Sequence, residues 1–366
     1  MQKMNQLAEM GQAVWLDFIR RSFSTSGELS KLVDQGLRGV TSNPSIFEKA
    51  ITGSDDYDTQ LREMVAEGKS VIQIYEALAM DDIRLAADIL RPVHESTHGV
   101  DGYVSLEVSP ELAHDTQGTL SEAERLFNTL ERPNVMIKIP ATPAGIPAIE
   151  GTIAKGINVN VTLIFSLEHY EAAARAYLAG LEKFSLAGGD LSRVASVASF
   201  FVSRVDTAVD NALEAVPGSE SLMGKTAIAN ARVSYTRFKE LIKTERWQAL
   251  AAQDARVQRP LWASTSTKNP SYPDTLYVDG LIGPHTVNTV PPATLDAFLD
   301  HGEVRLTLEG NLGQAHDQLA DLAKLGIDLE AVTQRLQDDG VEAFASSFDG
   351  MLASIDQKRS IMAVEG

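Results

Sequence analysis

The sequence predicts an α/β fold, a TIM-type (β/α)8 barrel with additional N- and C-terminal helices, on three observations. Short apolar runs alternate with segments of helical spacing, the pattern of βαβ units on a parallel sheet. Eight such runs occur in 366 residues, enough to close a barrel. Several of them carry polar residues of one parity only, as strands do when one face looks into a barrel.

The eight candidate strands are residues 14–19, 39–42, 103–108, 135–140, 159–165, 194–201, 261–264 and 275–282. Between the second and third, Val71, Ile72, Ile74, Tyr75 and Leu78 run on into Ile83, Leu85, Ala86, Ile89 and Leu90 with the period of a helix, and 170–181 does the same after the fifth. From about residue 284 the chain passes a proline-rich turn, Thr289-Val290-Pro291-Pro292-Ala293-Thr294-Leu295, into helical patterns that read as an appendage, 284–366. With no linker-like tract, low-complexity segment or repeat beyond the βα period, residues 1–366 are expected to form one domain.

Composition narrows the function. The 50 acidic residues outnumber 32 basic ones, and the net charge of -18 disfavours nucleic acid and anionic membrane as partners. A phosphate ester could still bind where two or three cations are focused in one cleft. The absence of cysteine excludes disulfides, thiol catalysis and cysteine metal sites. The start, MQKMNQLAEMGQAVWLDF, has no basic segment followed by an apolar run, and no stretch approaches the roughly 18 apolar residues of a membrane span. The expectation is a soluble, cytoplasmic protein.

Strand parity marks the candidate site. Val135, Ile137 and Ile139 share one face, leaving Lys138 on the other; Asn158, Asn160 and Thr162 oppose Val159, Val161 and Leu163. Ser105 and Glu107 oppose Val104, Leu106 and Val108, and Asp17 opposes Val14, Leu16 and Phe18. Barrel interiors are ordinarily filled by branched apolar residues. Any one of Asp17, Glu107, Lys138, Asn160 and Thr162 alone reads as a buried ion pair or a strand-end polar group, but their coincidence on several strands reads as an active site. A lysine, ordinarily near pKa 10.4, becomes a nucleophile when desolvation brings it to roughly 7–8, and could then attack a ketone. The resulting iminium draws electrons from the adjacent carbon–carbon bond. Cleavage needs one carboxylate to take a hydroxyl proton and a second acid–base group to manage water, for which Asp17 and Glu107 suit.

From Trp15 to about Asn269 the chain resembles transaldolases. Four motifs carry the resemblance, in order and each at a strand end: Thr41-Ser42-Asn43-Pro44-Ser45-Ile46-Phe47, Val135-Met136-Ile137-Lys138-Ile139-Pro140-Ala141, Gly156-Ile157-Asn158-Val159-Asn160-Val161-Thr162-Leu163-Ile164-Phe165-Ser166 and Ser199-Phe200-Phe201-Val202-Ser203-Arg204. The resemblance implies that Lys138 forms the Schiff base and Asp17 acts on the C4 hydroxyl, while Glu107 and Thr162 hold and activate the water of imine formation. It implies that Asn43, Asn160 and Ser199 bond substrate hydroxyls, that Phe201 forms a wall beside them, and that Arg204 grips the phosphate. The implied reaction moves a dihydroxyacetone unit from sedoheptulose 7-phosphate or fructose 6-phosphate to an aldose phosphate, in the non-oxidative pentose phosphate pathway, with no metal and no cofactor. The alternatives are an aldolase that releases free dihydroxyacetone and a non-catalytic sugar-phosphate-binding barrel. Sugar phosphates are the expected partners, with a homo-oligomer left open.

Two features depart from the family pattern. Where many relatives place a second phosphate arginine, this chain reads Ala263-Ser264-Thr265-Ser266-Thr267-Lys268-Asn269, so Lys268, helped by Ser266, is expected to supply the charge as a looser point contact. The longer segment 182–193 and the C-terminal extension point to a longer bacterial-type subfamily. Two rival motifs are set aside. His94-Glu95-Ser96-Thr97-His98 fits a zinc pattern, but stands at a helix end just before the third strand, on the barrel face opposite the catalytic loops. Gly218 to Thr226 has one residue too many between its glycines for a phosphate loop and follows a helix, not a strand.

Overall fold

The computed structural model describes residues 2–365. Eight parallel strands close a barrel in sequence order: β1 Gln12–Asp17, β2 Gly39–Thr41, β3 Tyr103–Glu107, β4 Val135–Pro140, β5 Val159–Ile164, β6 Ser196–Phe201, β7 Arg259–Ala263 and β8 Thr286–Val290. Closure is made by β8 against β1, with Trp15 beside Thr289. Helices pack around this sheet, and buried apolar residues from Met4 to Ile355 form one contiguous core. Among the described residues, no helix is long and apolar enough to cross a membrane.

Seven strands lie where the sequence predicts them, shifted by two residues or fewer at either end. The eighth does not. Residues 275–282 are not a strand; Leu276–Gly280 forms a short helix, whose Thr275 hydroxyl donates to Asp279 one turn later at 2.6 Å. A short apolar run suits either structure, because periodicity cannot separate a buried strand from one buried helical turn. The true strand, Thr-Val-Asn-Thr-Val, is diluted by polar residues that are all buried, and Pro291 and Pro292 end it instead of forming the predicted turn. The expected appendage therefore begins too early at 284: the helical part of the C-terminus starts at Pro292.

The outer helices follow amphipathic patterning. Val71–Ser96 starts with a reciprocal Ser70–Gln73 capping box and buries Ile74, Leu78, Ile83, Ala86 and Leu90. The C-terminal helix Leu329–Glu365 buries Thr333, Gln337, Gly340, Phe344, Phe348, Met351 and Ile355. Those spacings of three and four make one straight stripe, the seam of a helix lying along a surface. The stripe packs on the helix Pro44–Thr52, on Val71–Ser96 and on the end of β5. Lys358 fastens its far end, donating to the carbonyls of Ile51 and Ser54 and to Asp58.

The amino end of the barrel is plugged. Trp15 is fully buried and donates through Nε1 to Asp101, which also accepts from Arg259 at 2.8 Å. Gly39 faces the indole so closely that a Cβ there would lie 2.5 Å from it. The ring cannot retreat from its own hydrogen bond without opening the plug. Gly39→Ala is therefore expected to lower unfolding free energy by about 1–3 kcal/mol, the usual cost of overpacking a core, as measured by denaturant unfolding.

Candidate active site

Strand register assembles the site. Glu107 on β3 pairs with Lys138 on β4, Lys138 with Asn160 on β5, and Asp17 on β1 with Thr41 on β2. Neighbouring strands lie about 4.8 Å apart, so side chains of one parity meet on the inner face. The amine of Lys138 stands 3.3 Å from Glu107 Oε2, donates to the carbonyl of Ser42 at 3.2 Å and lies 5.5 Å from the centre of the Phe344 ring. Its side chain and that of Glu107 are each only 6% exposed.

Asp17 accepts from the Thr41 hydroxyl at 2.7 Å, and Thr41 meets Thr289 at 2.6 Å. Ser199 donates to Asn160 Oδ1 at 2.7 Å, and Asn160 Nδ2 donates to Ser105 at 3.0 Å, so these three fix one another. The Thr162 hydroxyl is buried with no hydrogen bond from protein, and Glu107 Oε2, also buried, faces the Lys138 amine. Thr162 lies within a register shift of β5, where Leu163 takes a left-handed φ of 57°. Such strain in a non-glycine residue collects at functional sites.

These groups surround a cavity of about 410 Å³ at the carboxyl ends of the strands, the face on which barrels of this type place chemistry. Of the residues expected from the sequence, Asp17, Asn43, Lys138, Thr162, Ser199, Phe201, Arg204, Ser266 and Lys268 line it. Glu107 and Asn160 stand behind that lining, one against Lys138 and the other against Ser199. Asn43 is also the N-cap of Pro44–Thr52, accepting from the Ile46 amide at 3.0 Å.

Cations gather in the same cavity. Arg204, in the first turn of the helix Ser203–Leu213, rests its guanidinium 5.2 Å from the Phe201 ring centre; Lys268 donates to Ser266 at 2.7 Å. Burial lowers the pKa of Arg204, and burial followed by repulsion from Arg204 and Lys49 lowers that of Lys268. Arg204, Lys268 and Lys49 gathered in one cleft of a chain with net charge -18 make an anion site.

Sequence reasoning missed Lys49, Thr41, Thr289 and Phe344, all of which line the cavity. Lys49 lies two residues past the motif that ends at Phe47, where helical position alone decides what it faces. Phe344 comes from a helix more than two hundred residues beyond the lysine, and no spacing links them.

The rival motifs lie elsewhere. His94 packs edge-on against Tyr103 at the amino end of β3, and burial lowers its pKa; the carbonyl of His98 accepts from Arg256. Among the described residues, no three His, Asp or Glu side chains are placed to hold a metal. In 218–226, Lys225 turns back to the Ser221 carbonyl at 2.6 Å.

A buried primary amine with two carboxylates, a row of hydroxyl and amide groups and a focused set of cations defines a class: a (β/α)8 barrel equipped for amine chemistry on anionic carbonyl compounds. The chain belongs to the transaldolase/fructose-6-phosphate aldolase family, whose sequence profile matches residues 14–355. It is 51% identical over 359 residues to the transaldolase of Thermobifida fusca, covering 97% of this chain and 98% of that one. It is 50% identical to the transaldolase of a Parafrankia species, covering 97% of both chains, and 47% identical to transaldolase 2 of a Nostoc species, covering 98% of both.

Burial raises the pKa of Asp17, outweighing Lys138, the Thr41 hydrogen bond, Arg204 and Lys268, which lower it. Burial likewise raises Glu107, with Lys138 opposing and Asp17 adding to the rise. A carboxyl whose folded pKa is raised binds its proton more tightly when folded, so stability falls as pH rises from the ordinary carboxylate value through the folded one. Asp17→Asn is therefore expected to be more resistant to denaturant than wild type at neutral pH. The gap should close as pH falls below 3.8, where both folded and unfolded Asp17 become protonated.

Proposed function

We propose that this chain is a cytoplasmic transaldolase, working as a single domain on sugar phosphates, that transfers a dihydroxyacetone unit through a Schiff base on Lys138 in the non-oxidative pentose phosphate pathway. The observation that carries this reading is the buried Lys138 amine, 3.3 Å from Glu107 and in one cavity with Asp17.

In this reading the amine attacks C2 of a ketose phosphate. The carbinolamine oxygen leaves as water, with its proton supplied from Glu107 through water held with Thr162; the buried Thr162 hydroxyl, without a partner in the protein, supports this role. In the resulting iminium, Asp17 takes the C4 hydroxyl proton, the C3–C4 bond breaks, and its electron pair moves to the iminium nitrogen. An enamine remains on Lys138 while an aldose phosphate departs. The enamine carbon then attacks an acceptor aldehyde, Asp17 returns the proton to the new hydroxyl, and water hydrolyses the imine. A carboxyl with a raised pKa suits a group that must both accept and return a proton. Asn43, Asn160 and Ser199 bond substrate hydroxyls beside the Phe201 wall, while Arg204 and Lys268, with Ser266, hold the phosphate.

Four outcomes are expected. Borohydride reduction in the presence of fructose 6-phosphate should add a dihydroxyacetone-sized mass to the peptide containing Lys138; sugar-phosphate binding without any adduct would overturn the reading. Lys138→Ala should lose transfer activity by on the order of 10⁴-fold or more while keeping its circular dichroism spectrum. Lys268→Ala should raise KM for phosphorylated substrates on the order of tenfold, since a charged hydrogen bond contributes about 1.5–3 kcal/mol and Arg204 remains. Without an acceptor aldehyde, turnover of fructose 6-phosphate should stall, whereas an aldolase would continue to release dihydroxyacetone.

A further inference from the structure

The C-terminal helix reaches the reacting nitrogen. Phe344 presents its ring to Lys138 Nζ at 5.5 Å, lines the cavity, and is itself 6% exposed. This is within the roughly 6 Å over which an aromatic face attracts a cation, and the attraction is larger in a desolvated site. We propose that Phe344 is a residue of the reaction: its ring stabilises the cationic iminium and keeps water from it, so that the three-carbon unit survives until an aldehyde acceptor arrives. This rests on Lys138 being the imine-forming lysine.

Charge at the nitrogen decides what the ring can do. The amine must be neutral to attack, and there the ring gives nothing. After water leaves, the nitrogen carries a positive charge as iminium; it loses that charge on passing to the enamine and regains it after transfer. A face that favours the cation therefore favours the resting ammonium and, among the covalent intermediates, the iminium over the enamine. Lining the cavity beside the amine, the same ring takes up space through which water would approach the iminium.

Gln337 seats this helix. It is 2% exposed, and its Nε2 donates to the carbonyls of Ala141, directly after β4, and Leu163, directly after Thr162. Those are the ends of the strands that carry Lys138 and Thr162. Seven residues separate Gln337 from Phe344, two helical turns, so both stand on the same buried stripe. Between them Gly340 meets Leu163, whose Cδ2 would lie 2.9 Å from any added Cβ. The polar clamp and the close approach fix the helix lengthwise and leave Phe344 opposite the amine. Gln337 is thus a positioning residue.

The test uses the full chain with fructose 6-phosphate and an acceptor aldose phosphate, and reads the ratio of dihydroxyacetone released to dihydroxyacetone transferred. A second readout is the fraction of Lys138 trapped by borohydride. Phe344→Leu should raise the release ratio and lower the trapped fraction on the order of three- to thirty-fold, while Phe344→Tyr, which keeps the ring, stays within about twofold of wild type. Phe344→Met replaces the leucine variant if the latter fails to fold. Gln337→Ala should move the release ratio in the same direction by a smaller factor. A purely structural helix would lower the amount of active protein without altering that ratio. The inference is overturned if the leucine or methionine variant keeps both readouts within about twofold of wild type, or if the tyrosine variant changes as much as they do. Absence of any adduct on wild-type Lys138 would overturn the Schiff-base assignment and this inference with it.

Discussion

A lysine and a glutamate facing each other at 3.3 Å inside a barrel are costly to bury singly and tolerable only together. Their pairing depends on the register of β3 against β4, because a slip of one residue would turn one partner out toward the helices. From that pairing the other constraints follow. Asp17 sits close enough for the Lys138 charge to oppose the rise in its pKa, Asn160 occupies the next position across β5, and Ser199 and Ser105 hold Asn160 in place. The barrel interior, where most proteins of this shape store packing energy, is here partly given over to polar groups at its carboxyl end. The amino end compensates with the Trp15–Asp101–Arg259 plug.

Much of this was legible in the sequence because strand parity is a strong signal where an inner face is polar and an outer face aliphatic. Lys138 between Ile137 and Ile139, and Asn160 between Val159 and Val161, could point only inward. The eighth strand was not legible for the converse reason. Thr286 and Asn288 find partners in Gln12 and Thr265, so buried polar residues there serve strand closure and look, in sequence, like a loop. The neighbouring run 275–282 had the apolar character of a strand without the room to form one. Parity also says nothing of loops and helix starts, and so Lys49 went unseen.

Electrostatics divide the cavity into two regions. Toward the floor, Lys138 faces Glu107 at 3.3 Å and shares the cavity with Asp17, on which its charge acts. Toward the rim, burial first and then the charges of Arg204 and Lys49 lower the pKa of Lys268. Binding an anion there relieves repulsion already built into the fold, so a modest number of cations suffices in a chain whose overall charge is strongly negative.

The long last helix has a consequence for how the molecule is made. Residues that face the amine and clamp its strand lie near the end of the chain, so every strand of the barrel is synthesised before Gln337 and Phe344 leave the ribosome. Domains generally fold from the N-terminal side during synthesis. A barrel closed by β8 would then hold its lysine beneath an open mouth until this helix settles over the amine. A product released early, before about residue 344, would be a barrel with its nucleophile unroofed. Enclosure of the amine in this way waits on a helix synthesised after the whole barrel.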